Sequence, residues 1–255
     1  MNKRHHWPDF DTSMRKSRNY VDNPVHVDEW NLLKERYNYI KYKDSNEVKI
    51  PKIIHQIWLG GPVPEKQRVY CDAIKKALPK NWEYKLWLDN DIKDIPFFHN
   101  LEAFNSTPNY GQKSDLLRLE ILYHIGGVYL DTDVVITKSF DELLDLDFFC
   151  SIAFDNWPSL LNSIMGSSPN NSTIKDMLTL DKDVKWNDGM AVIDTTGPYH
   201  ITRKVFTNLK NETNIIALPV SFLCPLPNFD AHNDYAQYIA PESFCCHLWH
   251  ESWNH

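Results

Sequence analysis

From Gly111 to Asp133 the chain reads GQKSDLLRLEILYHIGGVYLDTD, and its apolar pattern changes character once. Leu116, Leu117, Leu119, Ile121, Leu122, Tyr123 and Ile125 leave almost no polar face, which predicts a buried helix. Gly126 and Gly127 supply the left-handed residue that stops it. Val128, Tyr129 and Leu130 then make a short buried strand carrying Asp131 and Asp133 at its carboxyl end, the end at which open α/β sheets bind ligands. Asp115 and Arg118 stand three apart on one face of the helix. Inside so apolar a helix they need each other, a cavity or a ligand.

The same reading extends along the chain. Residues 1–48 are strongly charged and contain no glycine. Trp30, Leu33, Tyr37 and Ile40 fall at helical spacing, predicting an amphipathic helix from Asp28 to Tyr42 with Asp28 as N-cap. Ahead of it Lys3, Arg4, Arg15, Lys16 and Arg18, mixed with Asp9 and Asp11 and lacking an apolar face, read as a solvated tail. The main body opens at Val48. Ile53, Ile54, Ile57 and Trp58 form a buried strand, a helix runs from Glu65 to Ala77, and Tyr84 to Leu88 is a second strand, so the unit is βαβ with parallel strands. Further on come a short helix at Ser139–Leu144, strands at Phe148–Phe154 and Asn162–Gly166, a helix ending at Leu178, a helix at Tyr199–Leu209 entered through Thr196-Gly197-Pro198, and a last strand with His247 and Trp249.

Composition narrows the classes. At 255 residues with 42% apolar content the chain buries a sizeable core. A net charge of −7 and no basic face argue against a nucleic-acid backbone as partner. No run of eighteen apolar residues exists, and the charged start MNKRHHWPDFD lacks the apolar region of a signal peptide, so a soluble cytoplasmic chain is expected. Five cysteines show neither zinc nor scaffold spacing and are expected as reduced, buried thiols.

Asp131 and Asp133, one residue apart past a strand, suit a hard divalent cation that leaves positions for phosphate oxygens. A turn also favours Asp-x-Asp. The buried pair on the preceding helix and the strand placement turn the balance to the metal. Trp58-Leu59-Gly60-Gly61 offers an aromatic face and bare backbone to a flat base, or simply a core aromatic; neither GxGxxG nor a P-loop is present.

Taken together, IPKIIHQIWLGGPVP, WLDND, SDLLR, GGVYLDTD and HLWHESW resemble the glycosyltransferase family with a sugar-binding region containing a DXD motif. That family includes initiating α-1,6-mannosyltransferases and bacterial capsule enzymes and is more distantly similar to clostridial toxin glucosyltransferase domains. The resemblance covers residues 49–255 and leaves 1–48 as an N-terminal tail and helix. It implies a GT-A fold, a Rossmann-like mixed sheet flanked by helices, here with an N-terminal helical extension. It also implies retaining transfer of a hexose from a UDP- or GDP-sugar to a glycan or protein acceptor, with Mn²⁺ or Mg²⁺. By position, Trp58 stacks on the base, Asp115 and Arg118 hold the sugar and diphosphate, and Tyr129 lines the ribose or sugar pocket. Asp131 and Asp133 bind ribose and metal, with His247 as a third metal ligand. Asn162 faces the donor sugar, and Ser252 and Trp253 close over the diphosphate. Asp188 is either a site residue or a turn residue beside Gly189, Asp155 is a further catalytic candidate, and His250 and Glu251 face solvent. The rival is a binding module that kept the fold and lost the chemistry. Retention of Asp115, Arg118, Asp131, Asp133 and His247 together argues against it.

Overall fold

The computed structural model describes residues 4–15, 25–43, 45, 47–181 and 189–250, with the side chains of 189–191 left aside. In chain order the elements are α1 (Phe10–Met14), α2 (Val27–Tyr42), β1 (Ile53–Ile57), α3 (Glu65–Ala77), β2 (Glu83–Trp87), α4 (Leu101–Ser106), α5 (Tyr110–His124), β3 (Gly127–Leu130), β4 (Val134–Ile136), β5 (Phe148–Ile152) and β6 (Leu160–Ser167). There follow α6 (Ser172–Met177), α7 (Gly189–Thr195), α8 (Pro198–Leu209), β7 (Ile215–Leu218), α9 (Val220–Leu223) and β8 (Cys245–His247), with short 3₁₀ turns between.

Six strands form one mixed sheet in the order β2-β1-β3-β6-β5-β7. β2, β1 and β3 run parallel, β6 is antiparallel to both its neighbours, and β5 and β7 are parallel. The βαβ unit read at Ile53–Leu88 is present, with Ile54 paired to Tyr84 and to Val128. One edge of the sheet therefore gathers the carboxyl ends of β1 and β3 and the amino end of β6. β4 and β8 form a separate antiparallel pair with Val134 opposite His247.

The helix that opens this edge is α5. Asn109 caps it, its side chain accepting the Gln112 N–H at 3.0 Å. Leu116, Leu117, Leu119, Ile121 and Leu122 are fully buried, each contributing on the order of 2 kcal/mol from area removed from water. Gly126 and Gly127 have φ of 72° and 100°, and a Cβ on either would lie within 3 Å of neighbouring atoms: Pro169 and Pro51 for Gly126, Ile53 and His55 for Gly127. The turn from helix to strand thus needs glycine for both conformation and space. The frame under it is pinned by His55. Its Nδ1 accepts from Trp87 Nε1–H at 3.1 Å, which leaves Nε2–H to donate to Gly126 O at 2.9 Å.

Three local expectations change. The N-terminal tail is not solvated where the structure describes it: Trp7, Phe10 and Met14 are buried in the main core. Arg4 is buried in an ion pair with Asp145 and donates to Glu142 O, while Trp7 Nε1 donates to Glu142 Oε2 at 3.0 Å. Trp7, Phe10 and Met14 stand at i, i+3 and i+7, a face hidden in the sequence by the charged residues around it, and they meet Tyr37 and Phe222 in space. Second, α2 starts one residue earlier than expected, with left-handed His26 at the cap position and no side-chain cap; Asp28 sits in the first turn, favourable to the helix dipole. Third, β6 begins at Leu160 and β5 stops at Ile152, because those two residues pair with each other. All five cysteines are buried and free. Among the described residues no helix is long and apolar enough to cross a membrane.

Candidate active site

A cleft of about 880 Å³ opens at the sheet edge defined by β1, β3 and β6. Trp58, Asp115, Arg118, Tyr129, Asp131, Asp133, Asp155, Asn162 and His247 all line it. Asp188, Ser252 and Trp253 lie outside the described residues. Of Gly189, beside Asp188, only the backbone is described, at the start of α7.

At its helical end the cleft is built on α5. Asp115 Oδ1 takes Arg118 Nη2 at 3.0 Å and the Asn162 amide at 2.8 Å. Its Oδ2 accepts from Thr196 Oγ at 3.0 Å. Burial raises the Asp115 carboxyl to about 6, and the Arg118 charge and the two hydrogen bonds only partly offset that. Arg118 Nη1 donates to Asn162 O at 2.7 Å and stands 3.3 Å from Asp131 Oδ1, while the guanidinium carbon lies 4.4 Å from the Tyr129 ring centroid. One buried cation therefore links the helical pair to the Asp-x-Asp segment.

Asp131 is set by the sheet. Its N–H donates to Ser163 O and its carbonyl accepts from Gln56 Nε2, both at 2.9 Å, and Gln56 is itself held by the Tyr84 hydroxyl at 2.8 Å. Tyr129 reaches over the strand end and donates to Asp131 Oδ1 at 2.6 Å. Burial pushes the Asp131 carboxyl up against the opposing charges of Arg118 and His247.

Asp133 precedes β4, and the β4–β8 register carries His247 to it from the far end of the chain. His247 Nε2 is 3.1 Å from Asp133 Oδ1 and 3.8 Å from Asp131 Oδ2. Asp133 Oδ2 accepts the His250 N–H at 2.7 Å, and its carbonyl accepts the Leu248 N–H at 2.9 Å. Burial works against the charged Asp133, but the His247 charge and hydrogen bond and the His250 N–H prevail and hold it down at about 2. For His247 burial likewise favours the neutral ring and Asp133 overcomes it, so its proton affinity is raised. The ligand atoms of Asp131, Asp133 and His247 all lie within 4.8 Å of one another. Two carboxylates and one imidazole, with His247 Nδ1 buried and unpartnered, form a donor set that fits a divalent cation of the manganese or magnesium kind.

Several neighbours were not singled out from sequence, or were read differently. Thr196, read as helix entry, bonds Asp115. His250, read as solvent-facing, is half-buried, gives its N–H to Asp133 and packs its ring 5.4 Å from Tyr70. Trp249 adopts a left-handed φ of 59°, packs its ring tilted against His247 with the centroids 4.3 Å apart, and donates to Leu226 O at 2.8 Å. Gln56 and Ser114, whose hydroxyl accepts from Arg118 at 3.2 Å, were missed. Polar residues in a buried strand or on a helix carry no signal of their own. Only the reach of Asp131 and Arg118 in space reveals their task.

Comparison with known proteins adds to this geometry. A family profile described as "Glycosyltransferase sugar-binding region containing DXD motif" matches residues 64–162. The uncharacterized glycosyltransferase L373 of Acanthamoeba polyphaga mimivirus is 31% identical over 221 residues, covering 80% of this chain and 84% of that protein. Inositol phosphoceramide mannosyltransferase 2 of Schizosaccharomyces pombe is 32% identical over 166 residues, 62% of this chain, and mannosyltransferase 3 of the same organism is 37% identical over 115 residues, 42% of this chain. The matches span 47% and 31% of those two yeast proteins, less than half their length. Among solved structures, the PaToxG glycosyltransferase superposes with a TM-score of 0.50 at 17% identity, over 73% of this chain and 77% of that one, which shows a shared GT-A architecture.

Proposed function

The chain belongs to the glycosyltransferases whose sugar-binding region contains a DXD motif, and from that premise we propose that it moves a hexose from a UDP- or GDP-sugar to a glycan or protein acceptor, with retention at the anomeric carbon and with Mn²⁺ or Mg²⁺. The observation that carries this reading is the convergence, at one end of a single cleft, of Asp131, Asp133 and His247, while Asp115 and Arg118 line the other end. Mannose is the sugar named in several relatives.

In this reading Asp131, Asp133 and His247 hold the ion. When bound, the ion neutralises the charge that develops on the departing diphosphate, as a Lewis acid does. Trp58, half-buried on the cleft wall, offers its ring face to the base. Arg118 stays cationic inside the protein through Asp115, Asp131 and Tyr129, and so presents a fixed positive charge to the donor. Asp115 and Asn162 fix the sugar hydroxyls, and Tyr129 lines the ribose or sugar pocket. Asp188 next to the sugar, and Ser252 and Trp253 over the diphosphate, take the roles that the family resemblance gives them.

The test is turnover of a panel of UDP- and GDP-sugars, GDP-mannose included, with Mn²⁺ or Mg²⁺. Slow donor hydrolysis or transfer is expected, which disappears in EDTA and falls steeply in Asp133→Asn. If no donor binds or turns over with any metal, the proposal fails. Donor binding that is undiminished in EDTA and never leads to turnover would instead identify a binding module.

A further inference from the structure

A second convergence of ligand-type side chains involves the same helix, but none of its members lines the cleft. Glu120 and His124 stand four apart on α5 and share a face, and His99 reaches them from the segment between β2 and α4. Glu120 Oε2 lies 2.8 Å from His99 Nδ1 and 3.5 Å from His124 Nε2. The ligand atoms of the three residues all fall within 4.8 Å of one another.

Glu120 is completely buried, yet among the described residues it forms no ion pair with a lysine or arginine. Its oxygens take the His99 and Asn100 backbone N–H groups at 2.6 and 3.3 Å and the two imidazoles. A buried carboxylate held this way lacks a permanent counter-charge. The imidazoles are already oriented. The His99 ring stands edge-on to Phe97 at 4.9 Å and to Tyr123 at 5.2 Å, and stacks 5.8 Å from His124. The His99 side chain remains 30% exposed, which leaves an entry path and room for a water.

We propose that His99, Glu120 and His124 bind a borderline divalent cation of the zinc class, at a site separate from the one formed by Asp131, Asp133 and His247. Two imidazole nitrogens and one carboxylate oxygen with an open fourth position form a donor set that zinc takes. The two carboxylates and one imidazole in the cleft suit a harder ion. Tetrahedral bonds of about 2.0–2.1 Å place donors about 3.3 Å apart. The 3.5 Å pair is already at that separation, and the 2.8 Å pair opens by about half an ångström when the ion replaces the proton it shares. His124 exchanges its 2.6 Å hydrogen bond to Phe97 O for the metal bond. The ion ties the segment ahead of α4 to α5, whose earlier turns carry Asp115 and Arg118. It acts as a structural clamp on the helix that supports the cleft.

The experiment uses the full-length Asp133→Asn chain, in which the cleft site is weakened, stripped with chelator and titrated with Zn²⁺ by calorimetry. One equivalent is expected. His124→Gln in the same background weakens it by at least the roughly 10–100-fold that even an outer-shell partner is worth. The ring NMR signals of His99 and His124 in the Asp133→Asn chain report the ligands directly, whether or not the His124 variant folds, and both should move with the bound equivalent while buried His55 stays in place. A chain that takes up no Zn²⁺, or takes it up with those two signals unmoved, overturns the proposal.

Discussion

The two ends of the cleft treat their charges differently. At the helical end Asp115 has a guanidinium, an amide and a hydroxyl on its oxygens, and Arg118 divides its donors among Asn162, Ser114 and two carboxylates. At the strand end Asp131 and Asp133 converge on a single imidazole, supplemented by the shared Arg118 cation and by hydrogen bonds from Tyr129 and the His250 N–H. The first arrangement is complete within the protein and stiffens the frame. The second leaves negative charge in excess, which suits an incoming cation. Folding therefore finishes one end, and ligand binding is needed to finish the other.

That contrast can be broken most forcefully at Arg118. Arg118→Ala strands Asp115 and Asp131 without their buried cation, and a stability loss of about 3–5 kcal/mol is expected in urea denaturation. A loss under about 1 kcal/mol would mean that the helical end is not the completed one. Asp133→Asn addresses the other end. Turnover of the best donor at saturating metal should fall roughly 10²–10³-fold, about 3–4 kcal/mol in transition-state stabilisation, and adding Mn²⁺ should then raise the thermal midpoint of the parent chain by more than that of the variant.

Acid separates the frame from the site. Burial holds His55 down at about 4, from an ordinary 6.5. Between those values the unfolded chain binds the extra proton and the folded one does not, so the His55 contribution to stability is present above pH 6.5 and is lost as pH falls towards 4. The difference amounts to about 3 kcal/mol. Asp115, raised to about 6 from 3.8, works in the opposite sense, its cost appearing as pH rises through that window. The two overlap, so the quantity to measure is the difference in urea midpoint between the parent chain and His55→Gln as a function of pH. It should shrink on acidification, and a constant difference would contradict the assignment. The smallest expected effect is at Thr196. Thr196→Val removes one hydrogen bond from a buried carboxylate at nearly constant volume and should cost about 1–2 kcal/mol, seen in denaturation and as a modest fall in turnover.

Legibility followed distance along the chain. The α5–β3 stretch could be read because its helix, its stop and its strand are dictated by neighbours a few residues apart, and Asp115 and Arg118 do meet at the spacing that i and i+3 require. The same holds for α3, whose residue range the spacing reproduced. The contribution of His247 came from the family resemblance, not from its surroundings in the chain. Thr196 and His250 were misread because their partners lie 81 and 117 residues away. Trp7 and Phe10 were misread for a related reason, since three apolar positions at i, i+3 and i+7 among charged neighbours are too few to fix a buried face until something covers it.

By itself, then, the sequence determined most of the local elements and a pair of carboxylates at a strand end behind a helix too apolar to be exposed. Those follow from near-neighbour sterics and from the cost of leaving apolar surface in water. Tertiary structure alone decided that β8 docks on β4 so that His247 faces Asp133, that Arg118 spans both ends of the cleft, and that His99 meets Glu120 and His124. These outcomes depend on strand register and on the electrostatics of buried charges, both of which are set by residues far apart in the chain and close together only after folding.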